Sequence, residues 1–436
     1  MTKAVTSYEL NEKRFLDLLT LLIGETKTLQ NRPPQLVPVE DNAGRHVLKA
    51  LEPYTKEKGG VLKVERVAFA EGRGNILIEY PGTVENKTIS FVGSHLDVVP
   101  ADPTKWDRDP FKLVIEGDKL YGRGTTDCLG HVALLTDLFI QLATEKPALK
   151  HSICAVFIVS EENDDIPNIG VDELDRAGKI NHLKNGPVYW VDSADMQPTI
   201  GTGGAQTWNL TAYGKNMHSA MPNRTVNSLE LVNEALAEVQ ARFYKAFPAH
   251  PDEKKYNYDI SSTMKPTLWK PIVGSFNTIP GEATIQGDIR LTPFYDMAKC
   301  REAIEGFVKD INEHITDLRS RGPFSKYSVP EEGVVGHVKI TWNSLGDSGL
   351  ACDIDSNGYK ALGQATKEVL GELKPVSTCG TLPLVRELKD SGFDIQITGF
   401  GKEETYHADN EYASLNDFKK AVKILTRTIE LLENTL

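Results

Sequence analysis

Histidines and carboxylates stand in this chain where apolar runs end, so that chemistry can sit beside a core without being lost in it. The run I-S-F-V-G-S leads into His95, with Asp97 two residues on. Residues 152–160, S-I-C-A-V-F-I-V-S, lead into Glu161 and Glu162. P-V-Y-W-V, residues 187–191, leads into Asp192, with Asp195 a rival three positions later. F-D-I-Q-I-T-G-F, residues 393–400, leads shortly to Glu403, Glu404 and His407. Asp127 lies in L-Y-G-R-G-T-T-D-C-L-G, whose glycines permit a tight turn near a charged centre.

His95, Asp127, Glu162, Asp192 and His407 offer two imidazoles and three carboxylates, a donor set for borderline divalent metals such as zinc or cobalt. A metal-bound imidazole usually donates its other N–H to a carboxylate, and the H-L-D spacing offers Asp97 for that task. Of the adjacent pair Glu161 and Glu162, one can bind metal while the other faces a water of lowered pKa and serves as general base. Singly, each group also reads as ordinary surface: a strand-end histidine, a solvated acidic turn, a glycine loop. Recurrence at strand exits sets them apart.

Such groups need a scaffold that gathers strand ends. Continuous apolar character marks strands covered on both faces, as in parallel sheets. Helical patterns lie between them at 130–146, 356–370 and in the terminal N-D-F-K-K-A-V-K-I-L-T-R-T-I-E-L-L-E-N-T-L. This alternation predicts an α/β fold, mainly a parallel sheet, with ligand groups beyond the carboxyl ends of its strands. From about Gly204 the pattern changes to half-exposed strands, A-Q-T-W-N-L-T-A-Y-G, G-E-A-T-I-Q-G-D-I-R-L-T and H-V-K-I-T-W-N, with amphipathic helices at 225–244 and 296–315. A smaller α+β domain is therefore expected at 204–347, inserted into a catalytic domain of residues 1–203 and 348–436.

A length of 436 residues suits two domains. The net charge of −12 argues against a nucleic-acid surface. Five scattered cysteines without a C-x-x-C pair fit a reducing compartment, hence a cytoplasmic protein. No run approaches the roughly 20 apolar residues of a membrane span.

The stretches S-H-L-D-V-V-P, L-Y-G-R-G-T-T-D-C-L-G-H-V-A, S-E-E-N-D, G-K-N-M-H-S-A-M-P-N-R-T-V-N-S, N-T-I-P-G-E-A-T-I-Q-G-D-I-R-L-T-P and Y-H-A-D-N-E-Y resemble, in order, the co-catalytic di-zinc family of acetylornithine deacetylase, succinyl-diaminopimelate desuccinylase, aminoacylase and related carboxypeptidases. The tail G-T-L-P-L-V-R-E-L-K-D-S-G-F-D-I-Q-I-T-G-F-G-K-E-E-T-Y-H-A-D-N-E-Y is most similar to the acetylornithine deacetylase branch.

The resemblance implies two Zn2+ ions, with Co2+ able to substitute: one held by His95, Asp127 and Asp192, the other by Asp127, Glu162 and His407. Asp97 would orient His95, and Glu161 would be the base. It also implies a cis peptide at Asp127–Cys128. His218 would reach a neighbouring subunit's site in a homodimer, joined through the 225–244 helix or an edge strand of the inserted lid and dimerisation domain. Asn277, Arg290 and Thr381 would lie near the substrate. The implied reaction is removal of acetyl from N2-acetyl-L-ornithine, in ornithine and arginine biosynthesis. Rival readings are a general N-acyl-amino-acid aminoacylase, a dipeptidase, or a non-catalytic ligand-binding relative.

Overall fold

A computed structural model describes residues 5–163, 165–271, 274–324, 326–343 and 346–435, so Asp164 of the S-E-E-N-D run lies outside the described residues. The chain divides into two compact units. One comprises the chain up to Ile200 with Cys352–Val376 and the part from Pro383 onward; the other comprises Gly201–Ala351 with Ser377–Leu382. The sequence pattern put the changeovers at 203/204 and 347/348, and it carried no sign of the short second excursion at 377–382.

The first unit is built on an eight-stranded sheet. Its centre is formed by the four apolar runs: Ser152–Ile158, Thr88–His95, Pro187–Val191 and Asp394–Thr398 lie side by side in that order, all parallel. Lys63–Ala70 and Arg73–Tyr80 extend one flank as an antiparallel pair, and short strands close the other. The α/β class thus holds, with the parallel pairing concentrated where the ligand-bearing strands are. Every residue of Thr88–His95 and of Pro187–Val191 is buried, as strands covered on both faces require.

The cover comes from helices whose apolar faces join the same core: Glu12–Glu25, Asp41–Leu51, Leu129–Glu145, Asn357–Leu370 and Leu415–Thr435. Leu129–Glu145 is buried along almost its whole length, consistent with its high share of apolar residues. Trp190 is fully buried beneath Gly93, where a Cβ would come within 2.5 Å of the indole. Gly93 has φ of +94°, and the pairing with Ser152–Ile158 shifts register between Val92 and His95. That bulge is what the small residue in the opening run provides: it re-aims the strand end that carries His95. Emptying the site from the other side, Trp190→Ala would leave a cavity and cost about 3–5 kcal/mol.

In the second unit, Thr263–Trp269, Glu282–Leu291, Gly204–Tyr213 and His337–Trp342 form a four-stranded antiparallel sheet in that order. Ser228–Ala246 and Met297–Glu313 pack on it around a separate core that includes Trp208, Leu210, Val232, Phe243, Ile285 and Ile304. Asn227 and Asp296 cap these helices by accepting the N–H groups of Leu229 and Lys299. Alternating burial along Gly204–Tyr213 fits a sheet with one open face. Among the described residues, no helix is long and apolar enough to cross a membrane.

Candidate metal centre

Because the four central strands run parallel, their carboxyl ends deliver His95, Glu161, Asp192 and the approach to His407 to one edge of the sheet. Asp127 joins them from the loop before helix Leu129–Glu145, whose N-terminal N–H groups favour a carboxylate there. The peptide bond after it, Asp127–Cys128, is cis.

The two oxygens of Asp127 face different imidazoles. Oδ1 is 2.9 Å from Nε2 of His95, and Oδ2 is 3.1 Å from Nε2 of His407. His407 Nε2 is also 3.0 Å from Glu162 Oε2, while Asp192 Oδ2 lies 3.9 Å from His95 Nε2. Two donors on one tetrahedral zinc, each at 2.0–2.2 Å, stand about 3.4 Å apart. The spacing of these pairs brackets that value, and Asp127 is placed between two such groups. Glu161 sits beside them, Oε2 being 3.8 Å from His95 Nε2.

Electrostatics points the same way. Burial and the neighbouring Asp127 push Glu162 up to about 7 and Asp192 up to about 8, against the opposing pull of His407 and His95 respectively. Glu161 is raised well above the carboxylate range, chiefly by burial, with Asp192, Glu162 and Asp127 adding to it against His95. His407 is drawn up to about 11 by its bonds to Asp127 and Glu162. Asp192 Oδ1 is buried with no hydrogen-bond partner. Buried carboxylates crowded this closely require positive charge to be ionised together. The donor set therefore fits divalent cations.

Asp97 does more than the H-L-D spacing suggests. His95 Nδ1 is 2.9 Å from the Asp97 backbone carbonyl and 3.5 Å from its carboxylate Oδ1. The Nδ1 side of the ring thus engages mainly the main chain, and Nε2 is the nitrogen that faces Asp127. The carboxylate instead accepts the N–H groups of Glu161 at 3.2 Å and Glu162 at 3.0 Å, and the Asn31 amide at 2.8 Å. It ties the glutamate turn to the histidine strand. The backbone bends after the strand, as expected, but the bend itself supplies the nearer acceptor.

Asp192, not Asp195, is the acid next to His95. Asp195 lies beside Lys402 and Glu403, with a left-handed backbone (φ +57°). Ser160 and His407 are also left-handed, at +61° and +56°. Such conformations cost of order 1–3 kcal/mol and persist where the surroundings enforce them.

Cys128 was not singled out in the sequence. One ligand atom from each of His95, Cys128 and Asp192 lie within 4.8 Å of one another. The thiol contacts His131 Nδ1 at 3.4 Å and the Val191 carbonyl at 3.6 Å, while His131 Nε2 accepts the Phe400 N–H. This links the Asp127 loop to the exits of two central strands. Asn31 and Glu411 also escaped notice: Asn31 carries no local signal, and Glu411 stood inside Y-H-A-D-N-E-Y without a role.

The remaining candidates belong to the second unit. His218 is exposed, and its Nδ1 accepts the Ala220 N–H, which leaves Nε2 as the outward N–H donor. Asn277 is exposed beside it in the fold: its carbonyl accepts the Ser219 N–H, and its side chain accepts from Ser275 Oγ. Arg290 donates through Nε to Asp288 Oδ2 at 2.7 Å, two residues back on the same strand face. Thr381 lies on the 377–382 segment, which is held within this unit by bonds from Gly203 N–H to Gly380 and from Thr378 N–H to Gly201.

Comparison with known proteins accords with this geometry. The chain is 73% identical to acetylornithine deacetylase of Dictyostelium discoideum, over 99% of this chain and 100% of that protein. It is 50% identical to acetylornithine deacetylase of Arabidopsis thaliana, over 97% and 96%. Among solved structures, the di-peptidase Dug1p of Saccharomyces cerevisiae shares the fold at a TM-score of 0.67 and 16% identity, covering 97% of this chain and 96% of that one. Residues 91–431 match the model of peptidase family M20/M25/M40, and the chain belongs to that family.

Proposed function

We propose that the chain is a two-cation amidohydrolase that removes the acetyl group from N2-acetyl-L-ornithine, releasing L-ornithine and acetate, with zinc as the resident metal and cobalt able to replace it. The observation that carries the chemistry is Asp127, with one oxygen on His95, the other on His407, and Glu161 alongside. The near-full-length likeness to two proteins named acetylornithine deacetylase supports the choice of substrate and a place in ornithine and arginine biosynthesis.

His95, Asp127 and Asp192 would hold one cation, and Asp127, Glu162 and His407 the other. With both bound, an amide carbonyl is polarised and a water acidified. Glu161 takes that water's proton and hands it to the departing amine; its raised proton affinity suits a group that must carry a proton between the two steps. Asp97 keeps Glu161 and Glu162 fixed relative to His95. In the second unit, His218 offers an N–H donor for the oxyanion, and Arg290 a planar fork for the substrate carboxylate, with Asn277 and Thr381 nearby contacts.

In this reading two copies pair, His218 of each serving the other's centre. The second unit acts as lid and dimerisation domain, meeting its twin through Ser228–Ala246 or the edge strand Thr263–Trp269. Five scattered cysteines without a C-x-x-C pair favour a cytoplasmic location. Hydrolysis of a panel of N-acetyl amino acids and dipeptides, compared by kcat/KM, tests the reading. Acetylornithine should be fastest; faster acetylmethionine would make the protein a general aminoacylase, and a faster dipeptide a dipeptidase. No turnover of any by zinc-loaded protein would leave a ligand-binding relative.

A further inference from the structure

Glu411 is fully buried four residues beyond His407. Its Oε1 accepts the N–H groups of Thr126 at 2.8 Å and Asp127 at 3.0 Å. Its Oε2 accepts the Gly124 N–H at 3.0 Å and Arg123 Nη1 at 2.8 Å. The Glu411 carbonyl accepts the Gly122 N–H at 3.1 Å. Arg123 Nη2 returns to the Ala408 carbonyl at 3.3 Å, and Thr126 Oγ1 donates to the Tyr412 carbonyl at 2.7 Å. The 122–127 loop therefore turns three of its N–H groups, those of Gly124, Thr126 and Asp127, onto one carboxylate, as backbone nests do around anions. Gly124, at φ +92°, allows the wrap. That carboxylate belongs to the segment that carries His407.

Both ends of this connection are ligand positions. Asp127 N–H is held directly, and His407 is four residues from the holder along the chain. Glu411 thus ties the backbone of Asp127 to the segment that carries His407, whose Nε2 lies 3.1 Å from Asp127 Oδ2. We propose that Glu411 is a positioning residue that keeps Asp127 and His407 in register for the cation they share, so that its loss weakens cation binding. The inference rests on the two-cation reading of the centre.

The alternative is a buried ion pair with Arg123 that stabilises the fold and nothing more. Glu411→Gln separates the two. Glutamine has a single acceptor oxygen, so whichever way the amide turns, its NH2 group meets N–H donors of the loop. Glu433→Gln serves as the control: Glu433 accepts the N–H groups of Lys150 at 2.7 Å and His151 at 2.9 Å, far from any ligand in sequence. Zn2+ affinity is read by competition against a fluorescent chelator, alongside the Tm of the metal-free proteins.

The native protein should hold two equivalents. In E411Q the weaker of the two should be released about 10–100-fold more readily, with added Zn2+ restoring turnover, while E433Q should lower Tm and leave affinity unchanged. Native affinity in E411Q, or the same affinity loss in both variants, overturns the inference. A native protein that takes up fewer than two equivalents overturns the two-cation reading instead. Should E411Q fail to fold, E411D keeps both oxygens but withdraws them by one methylene. A several-fold loss of Zn2+ affinity in it supports the inference, and native affinity overturns it.

Discussion

The two units hold their candidate residues in opposite ways. In the first, the candidate ligands His95, Asp127, Glu162 and Asp192 have buried side chains while His407 is half-exposed, and bonds from distant parts of the chain hold them: His95 by the Asp97 carbonyl, the glutamate turn by the Asp97 carboxylate, the Asp127 loop by Glu411. In the second, His218 and Asn277 are exposed and Arg290 is partly so, and the side chain of each bonds a residue two positions away along the chain. The difference teaches a division of labour. A centre proposed to hold cations against water needs donors positioned before binding, whereas groups proposed to meet a substrate must stay accessible. Substitutions in the first unit should therefore disturb metal, and those in the second should disturb turnover or KM with metal intact.

Glu161 is the sharpest exception, since it lies in the first unit yet is assigned to proton transfer. Glu161→Gln should lower kcat by about 10²–10⁴-fold with both metal equivalents retained. Metal loss in step with activity would move Glu161 into the ligand set and blur the division. His218→Ala comes next, with an expected fall in kcat of about 10²–10³-fold and unchanged metal content by elemental analysis. Mixing it with Glu161→Gln under verified subunit exchange should restore part of the activity. No recovery would confine His218 to its own chain.

Arg290→Ala should raise KM by about 10–100-fold, the value of a charged hydrogen bond, with a smaller effect on kcat. Arg290→Lys should recover little, because a point charge cannot replace a planar fork. An unchanged KM would return Arg290 to the structural pair with Asp288.

The smallest effect is a pH trend in the metal-free protein. Glu162 near 7 and Asp192 near 8 lie far above the roughly 4 of an unfolded carboxylate. Their raised values favour the protonated folded state, so the stability they contribute is fully present below about pH 4 and is lost as pH rises through 7 and 8. Cations displace those protons. The gain in Tm on adding zinc should accordingly grow from about pH 5 to pH 8, and a gain that shrinks over that range would contradict the charge arrangement described for the first unit.

The central strands and their polar exits were legible because buried parallel strands write continuous apolar runs, and Pro187–Val191 falls on the same residues in both readings. The flanking pair Lys63–Ala70 and Arg73–Tyr80 was not read, since its charged residues mask the pattern. Thr263–Trp269 was hidden by Pro266, a residue tolerated there because the strand is an edge and the register slips between Pro266 and Leu268. Around the candidate metal centre, the proposed ligand residues declared themselves by type. Their supports did not: Asn31, Cys128 and Glu411 act through contacts with residues 66, 63 and 284 positions away, where no local spacing can reveal them.

Everything else depends on a shared aspartate between two cations. Crystals grown with zinc and measured across the zinc absorption edge would test this most directly. The account predicts two anomalous peaks, one on either side of the Asp127 carboxylate, the first among His95 and Asp192 and the second among Glu162 and His407. A single peak, or peaks that leave Asp127 outside their coordination, would contradict it.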